Sequence, residues 1–82
     1  MYWTYILYSK MIDKFYIGHT GNLDLRLQRH NQGWSRSTKS GIPWEIVYFE
    51  LFKDKSDAIK RELAIKRKKS RKYISEIINN DE

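Results

Sequence analysis

The sequence predicts an α+β domain in which a small, mainly antiparallel sheet packs against helices, with the elements in the order ββαβαα. Three observations carry this. Tyr2 to Tyr8 and Phe15 to Thr20 are rich in aromatic, β-branched and aliphatic residues and are joined by a short polar link, Ser9 to Lys14, the pattern of a hairpin. A third such run, Trp44 to Phe52, follows Pro43, and proline is tolerated at the start of a strand. Elsewhere apolar residues recur at helical spacing.

The remaining elements follow from local signals. Gly21-Asn22 breaks the second strand, and Asn22 can cap a helix whose first turn carries Asp24, a charge favoured at the positive end of the helix dipole. That helix is expected to run to about Asn31 and stop at Gly33. Gly33 to Gly41, rich in Ser, Thr and Lys, reads as an exposed loop. Asp54 or Ser56 can cap a second helix from about Asp57 to Arg67. Ser70 can start a short third one carrying Tyr73, Ile74, Ile77 and Ile78. Asn79 to Glu82 reads as a frayed polar tail, and residues 1–82 as one domain.

Composition narrows the class of protein. With 40% hydrophobic and 15% aromatic residues the 82-residue chain has enough apolar material to fold unaided. It contains no cysteine, which excludes disulfides and thiolate metal sites. Met1-Tyr2-Trp3-Thr4 lacks the features of a signal peptide, and a cytoplasmic location is the expectation. Sixteen Lys and Arg against ten Asp and Glu give a net charge of +6, and ten of the sixteen lie between Lys53 and Lys72. Such a patch can neutralise a polyanion, although lysine-rich helices are also simply well solvated.

Several polar residues fall where apolar ones are expected. At about 100° per residue, Glu62 lies about 40° from Ala58 and Ile65 about 20° to its other side, so Glu62 falls inside the apolar arc of the second helix. A carboxylate there needs a partner or a metal; the ordinary partner is Lys66, one turn on. On the first helix Leu23 and Leu27 mark the buried side, and Arg26 and His30 project together from one flank. Arginine can hold a phosphate and histidine can exchange a proton near neutral pH, while the plainer reading is an exposed basic edge. Tyr5 and Tyr16 on strands are ordinarily core residues with hydroxyls at the rim. Gly18 is more informative, because glycine inside a strand weakens it unless something approaches the backbone closely. His19 beside it adds a titratable group.

Together these residues resemble the GIY-YIG nuclease superfamily, specifically its small stand-alone members akin to the catalytic domain of the excision-repair C subunit and the Slx-type nucleases. Tyr16-Ile17-Gly18 matches the second motif, followed in order by Thr20, Arg26, His30-Asn31, Pro43-Trp44-Glu45 and Arg61-Glu62. The first motif departs: Trp3-Thr4-Tyr5 keeps the tyrosine and loses the glycine. The resemblance implies a three-stranded antiparallel sheet flanked by three helices and hydrolysis of DNA phosphodiesters with one Mg²⁺ or Mn²⁺ ion. Glu62 would be the only protein carboxylate on that ion, and Arg26 would neutralise charge on the scissile phosphate. Tyr5, hydrogen-bonded near Tyr16 and His19, or alternatively His30, would be the general base. Gly18, His19, Thr38 and Lys39 are expected to border the substrate. So small a domain leaves little surface for reading sequence, which points to structure-specific cleavage, with a protein partner as one source of specificity. The competing functions are a nucleic-acid-binding module that keeps the fold without strong activity, and an interaction adaptor, whose one obvious support is Trp34.

Overall fold

The structure, a computed structural model, describes residues 1–80. Strands β1 (Tyr2–Ser9) and β2 (Lys14–Thr20) form the hairpin, followed by helix α1 (Leu23–Asn31), a 3₁₀ segment (Arg36–Gly41), β3 (Trp44–Phe52), α2 (Lys55–Lys68) and α3 (Arg71–Asn79). The strands make one antiparallel sheet in the order β2-β1-β3, with β1 in the centre. This is the expected α+β architecture, and the expected order ββαβαα holds once the 3₁₀ segment is set aside.

Strand alternation divides the side chains between two faces. Thr4 and Ile6 point toward α2 and α3, where Ile6, Ile17, Ile65 and Ile74 form one buried cluster. Tyr5 and Leu7 point the other way, where they join Trp44, Leu23, Leu27 and Ile46 in a second cluster beneath α1. The sheet is therefore the middle layer, and a residue's parity on β1 decides which helix it meets. Thr4, which stands where the resembling family has the isoleucine of its first motif, is completely buried and donates from Oγ1 to the Ala58 carbonyl at 2.7 Å, pinning α2 to the central strand.

The helix ends follow the capping signals. Asn22 accepts from the Leu25 N–H at 3.0 Å through Oδ1, and Ser70 accepts from the Tyr73 N–H at 3.1 Å through Oγ. Helix α2 begins at Lys55, two residues before the expected start at Asp57, behind Asp54. Arg61 donates to Glu50 Oε2 at 2.9 Å, tying α2 to β3. Leu63, beside Glu62 on α2, is exposed.

The stretch expected to be an exposed loop is different. Within Gly33 to Gly41, Arg36–Gly41 forms the 3₁₀ segment, with Thr38 and Gly41 buried. The anchor lies outside it: the Trp44 indole donates from Nε1 to the Thr38 carbonyl at 2.6 Å, and its ring packs so closely on Gly41 that no side chain could stand there. The Ser/Thr/Lys composition of the segment carries no sign of this long aromatic partner. Of the expected frayed tail, Asn79 is the last residue of α3 and Asn80 caps it, while residues 81 and 82 lie outside the described residues. Among the described residues no helix is long and apolar enough to cross a membrane.

Candidate active site

The site is built around the edge strand β2. Tyr5 sits directly opposite Gly18 in the β1–β2 ladder, and its ring lies across the glycine. A Cβ at Gly18 would stand 2.6 Å from the Tyr5 hydroxyl and 2.8 Å from Cζ. Glycine thus lets the phenol cross the edge strand to where α1 and α2 both reach.

Around that hydroxyl, groups from three elements meet. His30, at the end of α1, is 1% exposed and places Nε2 3.1 Å from the Tyr5 oxygen. Arg26, one turn earlier, donates from Nε to the same oxygen over a longer 3.4 Å. On its other side, His30 Nδ1 lies 2.9 Å from Thr38 Oγ1. Thr38 has one hydroxyl hydrogen, and the Ser35 carbonyl 3.3 Å from Oγ1 can only accept it. With the hydrogen placed there, Thr38 Oγ1 accepts from His30 Nδ1–H, and Nε2 is the nitrogen left to accept the Tyr5 hydroxyl hydrogen. Tyr16 faces His30 edge-on with ring centroids 4.9 Å apart, and Trp44 packs against Tyr16 in turn.

The electrostatics fit this direction of proton donation. Burial pushes the Tyr5 hydroxyl up to about 12, outweighing the Arg26 hydrogen bond that pulls it down. Burial, and then the Arg26 charge, push the His30 imidazole below its ordinary value. At neutral pH the pair is a neutral phenol donating to a neutral imidazole. This has a consequence for stability. Unfolded, His30 gains a proton near pH 6.5, whereas folded it gains it only at lower pH, so the unfolded chain binds more protons as the pH falls through that window. Unfolding in urea is expected to show stability falling from pH 7 to pH 5.5, with a flatter dependence in His30→Gln, and equal slopes in the two proteins would refute the assignment.

A second cluster lies beside the first, on the α2 side of β2. Glu62 accepts from Lys66 Nζ at 2.6 Å through Oε2, and its Oε1 lies 2.6 Å from His19 Nδ1. The ordinary Lys66 partner is present, and His19 shares the carboxylate. Burial raises the Glu62 pKa, but the Lys66 and His19 contacts prevail and hold it below the usual range. Glu62 is also one of the charges that act on the Tyr5 hydroxyl, so the two clusters are within electrostatic reach of each other.

The donor set suits a hard cation. An ammonium already rests on Oε2, showing that this oxygen takes positive charge, and a lone carboxylate leaves the other ligand positions to water and phosphate oxygens, as magnesium prefers. Among the described residues no three His, Cys, Asp or Glu side chains converge as a metal cage, so Glu62 would hold the ion alone.

Compared with the sequence reading, Tyr5, Tyr16, Arg26, His30 and Gly18 come together, while two positions, His19 and Thr38, differ. His19 does not neighbour the Tyr5 hydroxyl; it pairs with Glu62, because it sits opposite Thr4 and therefore faces α2. Thr38, expected against substrate, is 1% exposed and holds the His30 ring instead. His30 is buried, not part of an exposed basic edge. Lys39 is exposed beside Gly33.

Asn31 has a role the sequence reading left unassigned. Its side chain accepts from the Trp44 N–H at 2.6 Å and donates to the Trp44 carbonyl at 3.0 Å, clamping the end of α1 to the start of β3. This fixes the helix turn that carries His30. Asn31→Ala is expected to cost about 1–3 kcal/mol by leaving those backbone groups unpaired, read as a lower urea midpoint.

The chain also matches known proteins over most of its length. Residues 1–74 match the GIY-YIG catalytic domain family. A UPF0213 protein of Staphylococcus saprophyticus is 40% identical over 77 residues, covering 88% of this chain and 94% of that protein. One from Clostridium perfringens is 40% identical over 68 residues, covering 82% of this chain and 72% of that protein. The solution NMR structure of a UPF0213 protein from Bacillus halodurans superposes with a TM-score of 0.62 at 26% identity, over 99% of this chain and 86% of that one. With its tyrosine, arginine, histidine and glutamate gathered about the Tyr16-Ile17-Gly18 strand, the chain belongs to the GIY-YIG family.

Proposed function

We propose that the protein is a nuclease that hydrolyses DNA phosphodiester bonds, with the site carried by one domain over residues 1–82 and a divalent cation held by Glu62. The observation that supports this most is the chain Arg26–Tyr5–His30–Thr38, in which a buried phenol has a guanidinium on one side and an imidazole nitrogen on the other. A phenol held at about 12 is a poor free base at neutral pH. It can act as a relay: as its oxygen takes a proton from the attacking water, its own hydrogen passes to His30 Nε2. The water oxygen bonds to phosphorus, the phosphorus–oxygen bond to the leaving group breaks with its electron pair going to the leaving oxygen, which takes a proton from solvent, and His30 ends as the imidazolium. Tyr5 and His30 then share the role of base.

Arg26 supplies positive charge beside that oxygen, where charge on the phosphate grows as the bond forms. Bound to Glu62, magnesium or manganese would add positive charge at the phosphate oxygens. His19 orients the carboxylate, as a ligand's hydrogen-bonded neighbour does. Lys39 and the backbone at Gly18 would border the substrate strand. Structure-specific substrates, a specificity-giving protein partner and a cytoplasmic setting complete the proposal.

The test is incubation with branched, flapped and single-stranded DNA, with and without Mg²⁺ or Mn²⁺, beside Glu62→Gln. Metal-dependent cleavage by the wild type, lost in the variant, is the expected result. Binding to every substrate with cleavage of none would favour the non-catalytic nucleic-acid-binding module.

A further inference from the structure

The basic patch between Lys53 and Lys72 is partly neutralised by its own acids, but a different stretch is not. From Leu25 to Trp44 there is no Asp or Glu, and Arg26, Arg29, Arg36 and Lys39 all lie within it. None of these four is in an ion pair among the described residues. In the middle stands Trp34, 68% exposed.

This indole is held in place. The Trp34 backbone N–H donates to the Arg29 carbonyl at 3.1 Å, extending the end of α1 and fixing where the side chain starts. The Arg29 guanidinium lies 4.8 Å from the ring centroid, over one face. Gly33, in the left-handed region at φ 82°, turns the chain there, with the Lys39 side chain passing beside it. Arg29 and Arg26 are three residues apart on α1 and hence neighbours on the helix surface, so the tryptophan lies one helical turn along from the arginine that touches Tyr5. A solvent-exposed, fixed aromatic face flanked by unpaired cations is the combination that holds single-stranded nucleic acid: cations take the phosphates and the ring takes a base.

We infer that Trp34 is a stacking platform for an unpaired nucleobase, with Arg29 and Lys39 on the adjoining phosphates, so that the enzyme engages DNA that is single-stranded next to the bond it cuts. A paired base inside a duplex presents no face to such a ring. The inference rests on the nuclease reading only for the location of the cut, because the platform is tested by binding.

The experiment measures fluorescence anisotropy of a labelled oligothymidylate and of a duplex of equal length, in EDTA so that nothing is cleaved. The protein is compared with Trp34→Ala, Trp34→Leu and Trp34→Phe; the indole is exposed, so all three are expected to fold. Single-strand affinity should fall about tenfold or more in Trp34→Ala and Trp34→Leu and stay within about threefold in Trp34→Phe, while duplex affinity changes less than about twofold. Unchanged single-strand binding in Trp34→Ala would overturn the inference. So would Trp34→Leu binding like the wild type, which would mark an apolar surface of the protein-binding kind, or equal losses on both probes. None of these outcomes depends on whether the protein cleaves DNA.

Discussion

Tyr5→Phe is expected to abolish cleavage while leaving a folded protein. The substitution removes one oxygen from a ring that stays in place, since the aromatic packing of Tyr5 against Leu7, Trp44 and Tyr16 is unchanged. What goes is the link between the water and His30 Nε2, which is left buried without a donor. Losing general-base assistance should lower the rate about 10²–10⁴-fold. The unpaired imidazole nitrogen should cost about 1–3 kcal/mol of stability. Single-turnover cleavage at saturating protein, compared with a urea titration of the same preparation, separates the two effects. A variant as active as the wild type would show that Tyr5 is a core residue that happens to border the site.

Gly18→Ala is expected to damage both stability and activity. The new methyl group would meet the rigid Tyr5 ring at 2.6 and 2.8 Å and the Tyr16 ring at 3.2 Å, and neither aromatic ring can fold away as a flexible side chain would. Overpacking of this kind costs about 1–3 kcal/mol. If the ring is displaced to relieve it, the hydroxyl leaves His30 and Arg26, so activity should fall further than stability alone explains. Pairing the change with Tyr5→Phe relieves only the nearer contact, because Cζ stays, and the double variant should remain less stable than Tyr5→Phe alone. Thermal unfolding of the four proteins in the cycle checks this. A Gly18→Ala variant as stable and active as the wild type would mean that the glycine is not needed for the tyrosine's path.

The fold was largely legible because its signals are local. The aromatic, β-branched and aliphatic run of β1, the caps at Asn22 and Ser70, and proline ahead of β3 each act within a few residues, and each has its expected counterpart. The cluster of Tyr5, Arg26 and His30 was legible in part, since helical spacing put Arg26 and His30 on one flank and Gly18 marked a close approach. What periodicity could not show was which face of the sheet each residue met. His19 and Gly18 are adjacent in sequence, yet alternation sends one to Glu62 and leaves room at the other for Tyr5. Thr38 was hidden for a different reason: its burial is imposed by Trp44 and its bond to His30 spans eight residues, so a polar stretch that reads as loop becomes the wall of the site. The one available signal was the asparagine–tryptophan pair, Asn31 and Trp44, whose side-chain amide and strand backbone are complementary.

The central claim is that Tyr5 can hand its hydrogen to His30, and nitrogen-15 NMR of the imidazole tests it most directly. At neutral pH in protein labelled at histidine, the His30 ring should show a protonated Nδ1, coupled to Thr38, and an unprotonated Nε2. Titration should leave it neutral at pH values where an exposed histidine has already charged. A ring carrying its hydrogen on Nε2 would make Tyr5 the acceptor in that bond and would contradict the relay.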